Sequence, residues 1–566
     1  MIGVLSTDSD VRAVQEFFQL FKTPWEFYVP LRFYDIVVIT ADEMPADLNA
    51  SVVVLYNSRS IESDGDAPAF TPPKQSCQWL QWDGVEFPVY GDIAVFQLAW
   101  RPFIRRRGTS EIIGFEVSEA SRQTMRIGYD LFQEVSLLLS KGQPPQNAHI
   151  PTLEIHISLL RSVMVNAGVP FVEIPPVPAG YDFMACLTHD VDFAGIRNHK
   201  FDHTMLGFVY RAFAGSLFDA LRGRIVWSKC RRNWKAAFSL PLVYFGLQDD
   251  FWLEFDRYMR IEKGLGSTFF FIPFKNCPGT RASSSAPKRR AAKYDVSQIK
   301  EQVQQLIEHG CEVGLHGIDA WQNPQKAHVE LTRIRDLTGR SEVGVRMHWL
   351  YFAEGSPKAL EEAGFSYDST FGYNDAVGFR GGTTQVFCPP TAEDLLELPM
   401  NVQDTAMFYP SRMNLSETEA LDSCKQLIRF ATTFGGALTV NWHTRSLSPE
   451  RLWGDFYVRL LEEIQNHRVW FGTAREIVLW FRKRRALRFA EVEISENSFR
   501  VKIAGGAPNG DPAFLVRIHY PNVRSSTGPV PPNFAAGYSD SYWRGEKNVE
   551  GVMRRPSGSQ LHESRL

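Results

Sequence analysis

The sequence predicts an α/β protein: a (β/α) barrel with an N-terminal α/β domain before it and a small C-terminal β unit after it. Three observations carry this. Between Phe183 and about Arg484, short apolar runs alternate with amphipathic segments of about 10–15 residues, the rhythm of a parallel sheet. Upstream of residue 178, β-type runs mix with helical periodicity, and downstream of residue 486 the hydrophobic period becomes two. The chain has 566 residues, too many for a single core.

Composition narrows the function. Hydrophobic residues are 44% and charged residues 22%, and 61 basic residues face 64 acidic ones, for a net charge of -3. Nothing in that balance points to nucleic acid as a partner. The seven cysteines lie far apart with no C-x-x-C pair, which fits a reducing compartment. The opening MIGVLSTDSDVRAVQEFF lacks a basic segment followed by an apolar one, and no run of about 18 uncharged apolar residues occurs. The expectation is a cytoplasmic protein with no membrane span.

In chain order, residues 1–178 hold strands at 36–40 and 51–56 and helical periodicity near 122–140 and 150–167. VEIPPVPAGY, residues 172–181, reads as a connector. The barrel is expected over 179–486, with strands at 184–189, 267–273, 312–316, 344–349, 367–370, 437–443 and 469–471. Seven such units suit a barrel, with a doubly wound open sheet as the alternative. A helix is expected to start after Asp295 and stop at Gly310. Residues 276–294 form a long polar loop, either an active-site lid or a solvated excursion. AEVEIS, FRVKIA and FLVRIHY predict an antiparallel unit over 487–553, and 554–566 reads as a disordered tail.

The residues that carry chemistry sit where apolar runs give out: His189, Asp190 and Asp192; His316; Arg346 and His348; His443. A parallel barrel gathers the C-terminal ends of its strands on one rim, so these groups would converge. Imidazole and carboxylate together suit a divalent metal with an open position for water. A second carboxylate then has a proton to accept, an arginine would hold it ionised, and a histidine across the pocket would protonate a leaving group. Such a set performs metal-assisted hydrolysis of an amide or ester.

The stretch from Phe183 to about Trp480 resembles the polysaccharide deacetylase family, carbohydrate esterase family four, in a variant branch. LTHDVD, residues 187–192, stands where that family has a strand ending in two aspartates. STFFFIPF (267–274) is similar to its second strand, EVGLHG (312–317) to its metal-histidine motif, GVRMHW (344–349) to its arginine motif and LTVNWH (438–443) to its last motif. YDSTFG (367–372) and GFRGGT (378–383) fit the variant branch, often encoded with surface-polysaccharide genes. The resemblance implies a distorted (β/α) barrel, Asp190 as general base braced by Arg346, Asp192 and His316 as metal ligands, and His443 as the acid. It further implies a divalent metal, zinc with cobalt or nickel as alternatives. The implied substrate is an acetylated oligo- or polysaccharide; the absence of a signal-peptide pattern in the opening residues makes a lipid- or nucleotide-linked sugar precursor the expected form, with polysaccharide-assembly proteins as candidate partners.

The common pattern has a second metal histidine four residues after the first, and here that position is Ala320. His348 is the preferred substitute; His189, and the pair His199 and His203, remain alternatives. Trp321, Trp349 and Trp442 neighbour proposed site residues and are candidates for stacking on sugar rings, against an equal expectation that they pack the barrel. Asp319, Asp368 and Asp404 are further pocket candidates, with caps and loop hydrogen bonds the simpler reading. Two competing functions are hydrolysis of a non-sugar amide on the same scaffold and a catalytically reduced carbohydrate-binding or assembly protein.

Overall fold

Nine consecutive buried residues, Phe183–Val191 (β1), form the central strand. A strand paired on both edges and covered on both faces is largely apolar. The structure, a computed structural model, describes residues 1–45, 47–61, 69–72, 77–97, 101–119, 122–223, 225–281, 290–495, 498–505, 512–521, 538–543 and 548–552. On one side β1 pairs with Ser267–Phe271 (β2), then Glu312–Gly317 (β3), Gly344–Met347 (β4) and Tyr367–Asp368 (β5). Val402–Gln403 (β6) and Ala437–Asn441 (β7) continue the sheet on the other side of β1. Val469–Phe471 (β8) pairs with the start of β1. All these pairings are parallel, and the curled sheet with its helices is a distorted (β/α) barrel.

The two edges are bridged by a stretch that sequence periodicity did not single out. Asp368 N–H donates to Leu396 O at 2.9 Å and Leu398 N–H to Asp368 O at 2.8 Å, while Val402 and Gln403 pair with Val440 and Asn441. One irregular segment thus touches β5 at its start and β7 at its end. Helix starts are set locally: Asp295 with Gln298, Ser416 with Glu419 and Thr473 with Glu476 each form a reciprocal capping box.

The N-terminal sheet runs parallel through 25–27, 2–5, 34–39, 50–56 and 123–127, then antiparallel through the strands at 112–118, 101–106, 78–82 and 85–89. Helical periodicity near 122–140 resolves into two elements, the strand Gln123–Ile127 and the helix Leu131–Ser140. Asp130, three residues past the strand, caps the helix, its carboxylate accepting from the backbone of Phe132 and Gln133. The C-terminal strands belong to two sheets rather than one. Arg488–Ile494, Ser498–Ala504 and Asn548–Val552 form the first; Phe514–His519 lies between Tyr538–Trp543 and Phe171–Glu173 in the second. The start of the expected connector, residues 172–173, therefore belongs to the buried strand Phe171–Glu173. The middle of the 276–294 loop and the tail 554–566 lie outside the described residues. Among the described residues no helix is long and apolar enough to cross a membrane.

GFRGGT is the seam between the barrel and the N-terminal part. Phe379 N–H donates to Ala148 O (2.7 Å), Gln143 N–H to Arg380 O (2.8 Å) and Leu153 N–H to Gly382 O (3.0 Å). Gly378 has φ +142°, and a Cβ there would stand 2.0 Å from Ala148 O. Gly378→Ala is accordingly expected to lower unfolding stability by about 3 kcal/mol, measured as the shift of the denaturant midpoint.

Candidate active site

Alternation along β1 sends Asp190 and Asp192 to one side and His189 to the other. His189 is fully buried away from the rim, its Nδ1 donating to Trp442 O (2.8 Å) and its Nε2 meeting Glu262 (3.1 Å). It holds strands and helices together and offers nothing to a metal.

Asp192, His316 and His348 each aim one donor atom at a common point, all within 4.8 Å of one another. Ligand bonds of about 2.1 Å in a tetrahedral zinc site place neighbouring donors about 3.4 Å apart. His316 Nε2 and His348 Nε2 stand 3.3 and 3.6 Å from Asp192 Oδ1. That oxygen is buried with no hydrogen-bond partner, as is Nδ1 of His348. Nδ1 of His316 donates to Arg346 O (3.0 Å), which leaves the Nε2 lone pair facing the gap. Spacing, burial and tautomer all fit a divalent cation. Ala320 is buried and carries no ligand atom, and the His348 ring lies 4.9 Å from that of His316. His199 and His203 are not on one helix face: the first ends a 3-10 turn bonded to Asp202, and the second begins a separate helix, exposed.

Two carboxylates in this pocket have different surroundings. Asp190 Oδ1 accepts from Arg346 Nη1 (3.1 Å) and Oδ2 from Asn441 Nδ2 (2.7 Å). Burial opposes its ionisation, but His316, Arg346 and His443 outweigh it and hold the carboxyl below its ordinary value. Burial likewise opposes ionisation of Asp192, and His348, His316 and His443 pull its carboxyl well down. Arg346 is itself fully buried, held by Thr188 Oγ1 (2.7 Å), Ser369 O (3.0 Å) and Ser369 Oγ (2.9 Å).

His443 faces the same gap with Nε2, 3.8 Å from Asp192 Oδ2. Its Nδ1 meets Asp404 Oδ1 at 2.6 Å, and its backbone N–H donates to Asp404 Oδ2 at 2.8 Å. Ser446 also donates to Asp404. Burial disfavours the imidazolium, but Asp404 and then Asp192 and Asp190 more than compensate, raising His443 to about 9. Burial similarly pushes His348 down to about 3, Asp192 offsetting only part, so His348 stays neutral as a ligand must.

These groups open into a cavity of about 450 Å³. A larger one, about 550 Å³, lies between Glu16 and Arg485, away from the strand ends and without the chemistry described here. Trp349 stands at the mouth of the first, where φ values of +63° and +50° at Trp349 and Leu350 turn the chain outward just after His348. Trp442 is not on the wall. It is fully buried, stacked on Phe456 and Tyr457 (5.8 and 4.9 Å), because alternation from Asn441 and His443 points it into the packing layer. Trp321 is also absent from the lining and packs on Tyr351 (5.9 Å). Asp319 bonds Thr280 and Lys326, and Asp368 lies buried against Thr370, its carboxyl raised by burial to about 6.

Sequence reasoning missed Asn441 and a ring of cations. Arg211, Arg290, Lys293, Arg412 and Arg451 line the cavity, and none has a carboxylate partner among the described residues; Arg445 pairs with Glu450 (2.6 Å). Arg412 and Arg451 flank the Tyr409 ring at 5.4 and 5.3 Å. They come from loops with no periodicity to mark them. Asn441 was findable, since alternation along VNWH places it on the same side as His443.

The barrel is similar to solved carbohydrate deacetylases. A protein assigned as a polysaccharide deacetylase from Mycobacterium smegmatis matches at 17% identity over 55% of this chain and 95% of its own, with a TM-score of 0.33. A novel carbohydrate deacetylase, Agd3, matches at 8% identity over 98% of this chain and 99% of its own, with a TM-score of 0.35. An allantoinase matches at 17% identity over 39% of this chain and 70% of its own, TM-score 0.29. No protein-family model and no curated protein matches the sequence.

Two outcomes are expected. His348→Ala should weaken zinc binding at least about 100-fold, read by competition with a chelating dye. Asp404→Asn should return His443 from about 9 towards the ordinary histidine value near 6.5, read from imidazole resonances during a pH titration. Because the folded pKa is raised, the contribution of this pair to stability is complete below about pH 6.5 and is lost as pH rises through about 9.

Proposed function

We propose that the chain is a metal-dependent hydrolase that removes acetyl groups, N-acetyl in particular, from a sugar of a polysaccharide or its precursor. The observation that carries this reading is the gap at Asp192, flanked by an ionised carboxylate, Asp190, and a protonated imidazole, His443. A divalent metal held by Asp192, His316 and His348, zinc or else cobalt or nickel, would supply Lewis acidity, favouring ionised water and polarising an acyl oxygen.

The remaining chemistry belongs to the side chains. Asp190 Oδ2 lies 3.8 Å from His316 Nε2, on the rim of the metal gap, and accepts the proton of the attacking water. Arg346 and Asn441 fix its orientation and keep it ionised. His443, just past the end of the neighbouring strand β7, donates from Nε2 to the departing nitrogen, with Asp404 stabilising the imidazolium as it forms and re-forms. A pKa near 9 keeps His443 loaded with its proton at neutral pH. Trp349 offers an exposed ring beside the site for a sugar face. The unpaired cations around Tyr409 favour a substrate that carries phosphate oxygens, as a lipid- or nucleotide-linked acetylated sugar does.

Acetate release from N-acetylated oligosaccharides and from N-acetylglucosamine 1-phosphate is the test. Chelation should abolish it, and Asp190→Asn should lower kcat by about 10³-fold with little change in KM. Activity that persists in both would overturn the mechanism, and turnover of small non-sugar amides alone would move the reading to another substrate class.

A further inference from the structure

Apolar surface is concentrated in one place. Residues 200–247, between β1 and β2, hold eleven of the twenty-three exposed large apolar side chains of the described residues. This excursion contains three α-helices, His203–Tyr210 (α1), Ser216–Leu221 (α2) and Trp227–Tyr244 (α3).

The exposure follows helix geometry. On α3, Trp227, Phe238 and Leu242 recur at spacings that share one face, continued by Phe245 just past its end, and all four are exposed. The opposite face, with Cys230, Asn233, Ala237 and Leu240, is buried. On α1 the exposed pair Leu206 and Tyr210 is again four apart. Both ends of the excursion are tied together, Tyr244 Oη donating to His199 O (3.4 Å) and Arg197 Nη2 to Gln248 O (2.7 Å). That closure brings Phe201, Phe245 and Leu247, exposed by 78%, 79% and 76%, to the same end.

Charge completes the pattern. The 48 residues carry eight basic and only two acidic side chains, in a protein whose overall charge is -3. Arg222, Arg231 and Lys235 are exposed with no carboxylate partner among the described residues. A helix surface that mixes Trp, Phe and Leu with Lys and Arg suits the plane of a bilayer, apolar tips in the acyl boundary and cations at anionic headgroups. No described helix crosses a membrane, so the contact would be with the surface only. The excursion also borders the site: Phe193 and His199, just before its start, and Arg211 within it line the cavity.

We propose that residues 200–247 seat the chain on the surface of an anionic lipid bilayer, with the mouth of the site at the headgroup level. Seating needs neither metal nor substrate, so it is tested apart from the hydrolase reading. The full chain is floated with phosphatidylcholine vesicles and with vesicles that also contain phosphatidylglycerol. Binding is expected only to the anionic vesicles and is expected to fall as salt rises. The triple variant Phe238→Ser, Leu242→Ser, Phe245→Ser and the double variant Arg231→Glu, Lys235→Glu should each lose at least about tenfold in partitioning, with circular dichroism melts confirming that both remain folded. The proposal is overturned if the wild type fails to float with anionic vesicles at low ionic strength. Unchanged flotation of both variants would overturn it too. So would a light-scattering dimer of the wild type, broken by the triple variant, in the absence of flotation.

Discussion

The site depends on one buried cation. Arg346 lies at the barrel centre with its guanidinium on Asp190, Thr188 and Ser369, and its carbonyl accepts from the ring of His316. Side chain and backbone of a single residue therefore orient both the proposed base and a proposed metal ligand. A fully buried guanidinium is tolerable only with its donors satisfied, and the ring of Phe270 beneath it (4.7 Å) adds a further contact. Strands β1, β4 and the turn after β5 are locked in register by the same group. Precision at the metal gap is thus inherited from the barrel core.

Around that cation, three acids adopt three roles through surroundings alone. Asp190 has two donors and stays ionised beside the gap. Asp192 has none on Oδ1, and its charge is offset only by histidines, which makes it a place for a cation. Asp404 never reaches the cavity; it sets the proton affinity of His443 from behind. Divergent environments for like groups would let one pocket hold the proposed base and the proposed acid at the same pH.

Most of the barrel was legible because buried parallel strands leave continuous apolar runs, and LTHDVD, EVGLHG and LTVNWH each show where such a run ends. Period two along LTHDVD also puts His189 on the side opposite Asp190 and Asp192. What could not be read were groups placed by loops or by long-range packing. Segment 396–403 is irregular, so nothing marked it as the bridge between the sheet edges. Arg412, Arg451 and Arg211 meet only in space. Trp442 was weighed as a sugar platform because it adjoins His443, yet adjacency along a strand puts a residue on the opposite face. The strand at 123–127 was hidden in a helical window because Asp130 changes the period within a few residues.

GFRGGT straps the barrel to the N-terminal part. Its glycines admit the carbonyl of Ala148 and the first turn of the helix Thr152–Asn166, contacts that a barrel standing alone would not need. An excised barrel would leave this glycine strap unsatisfied, with backbone groups built to be covered turned towards water.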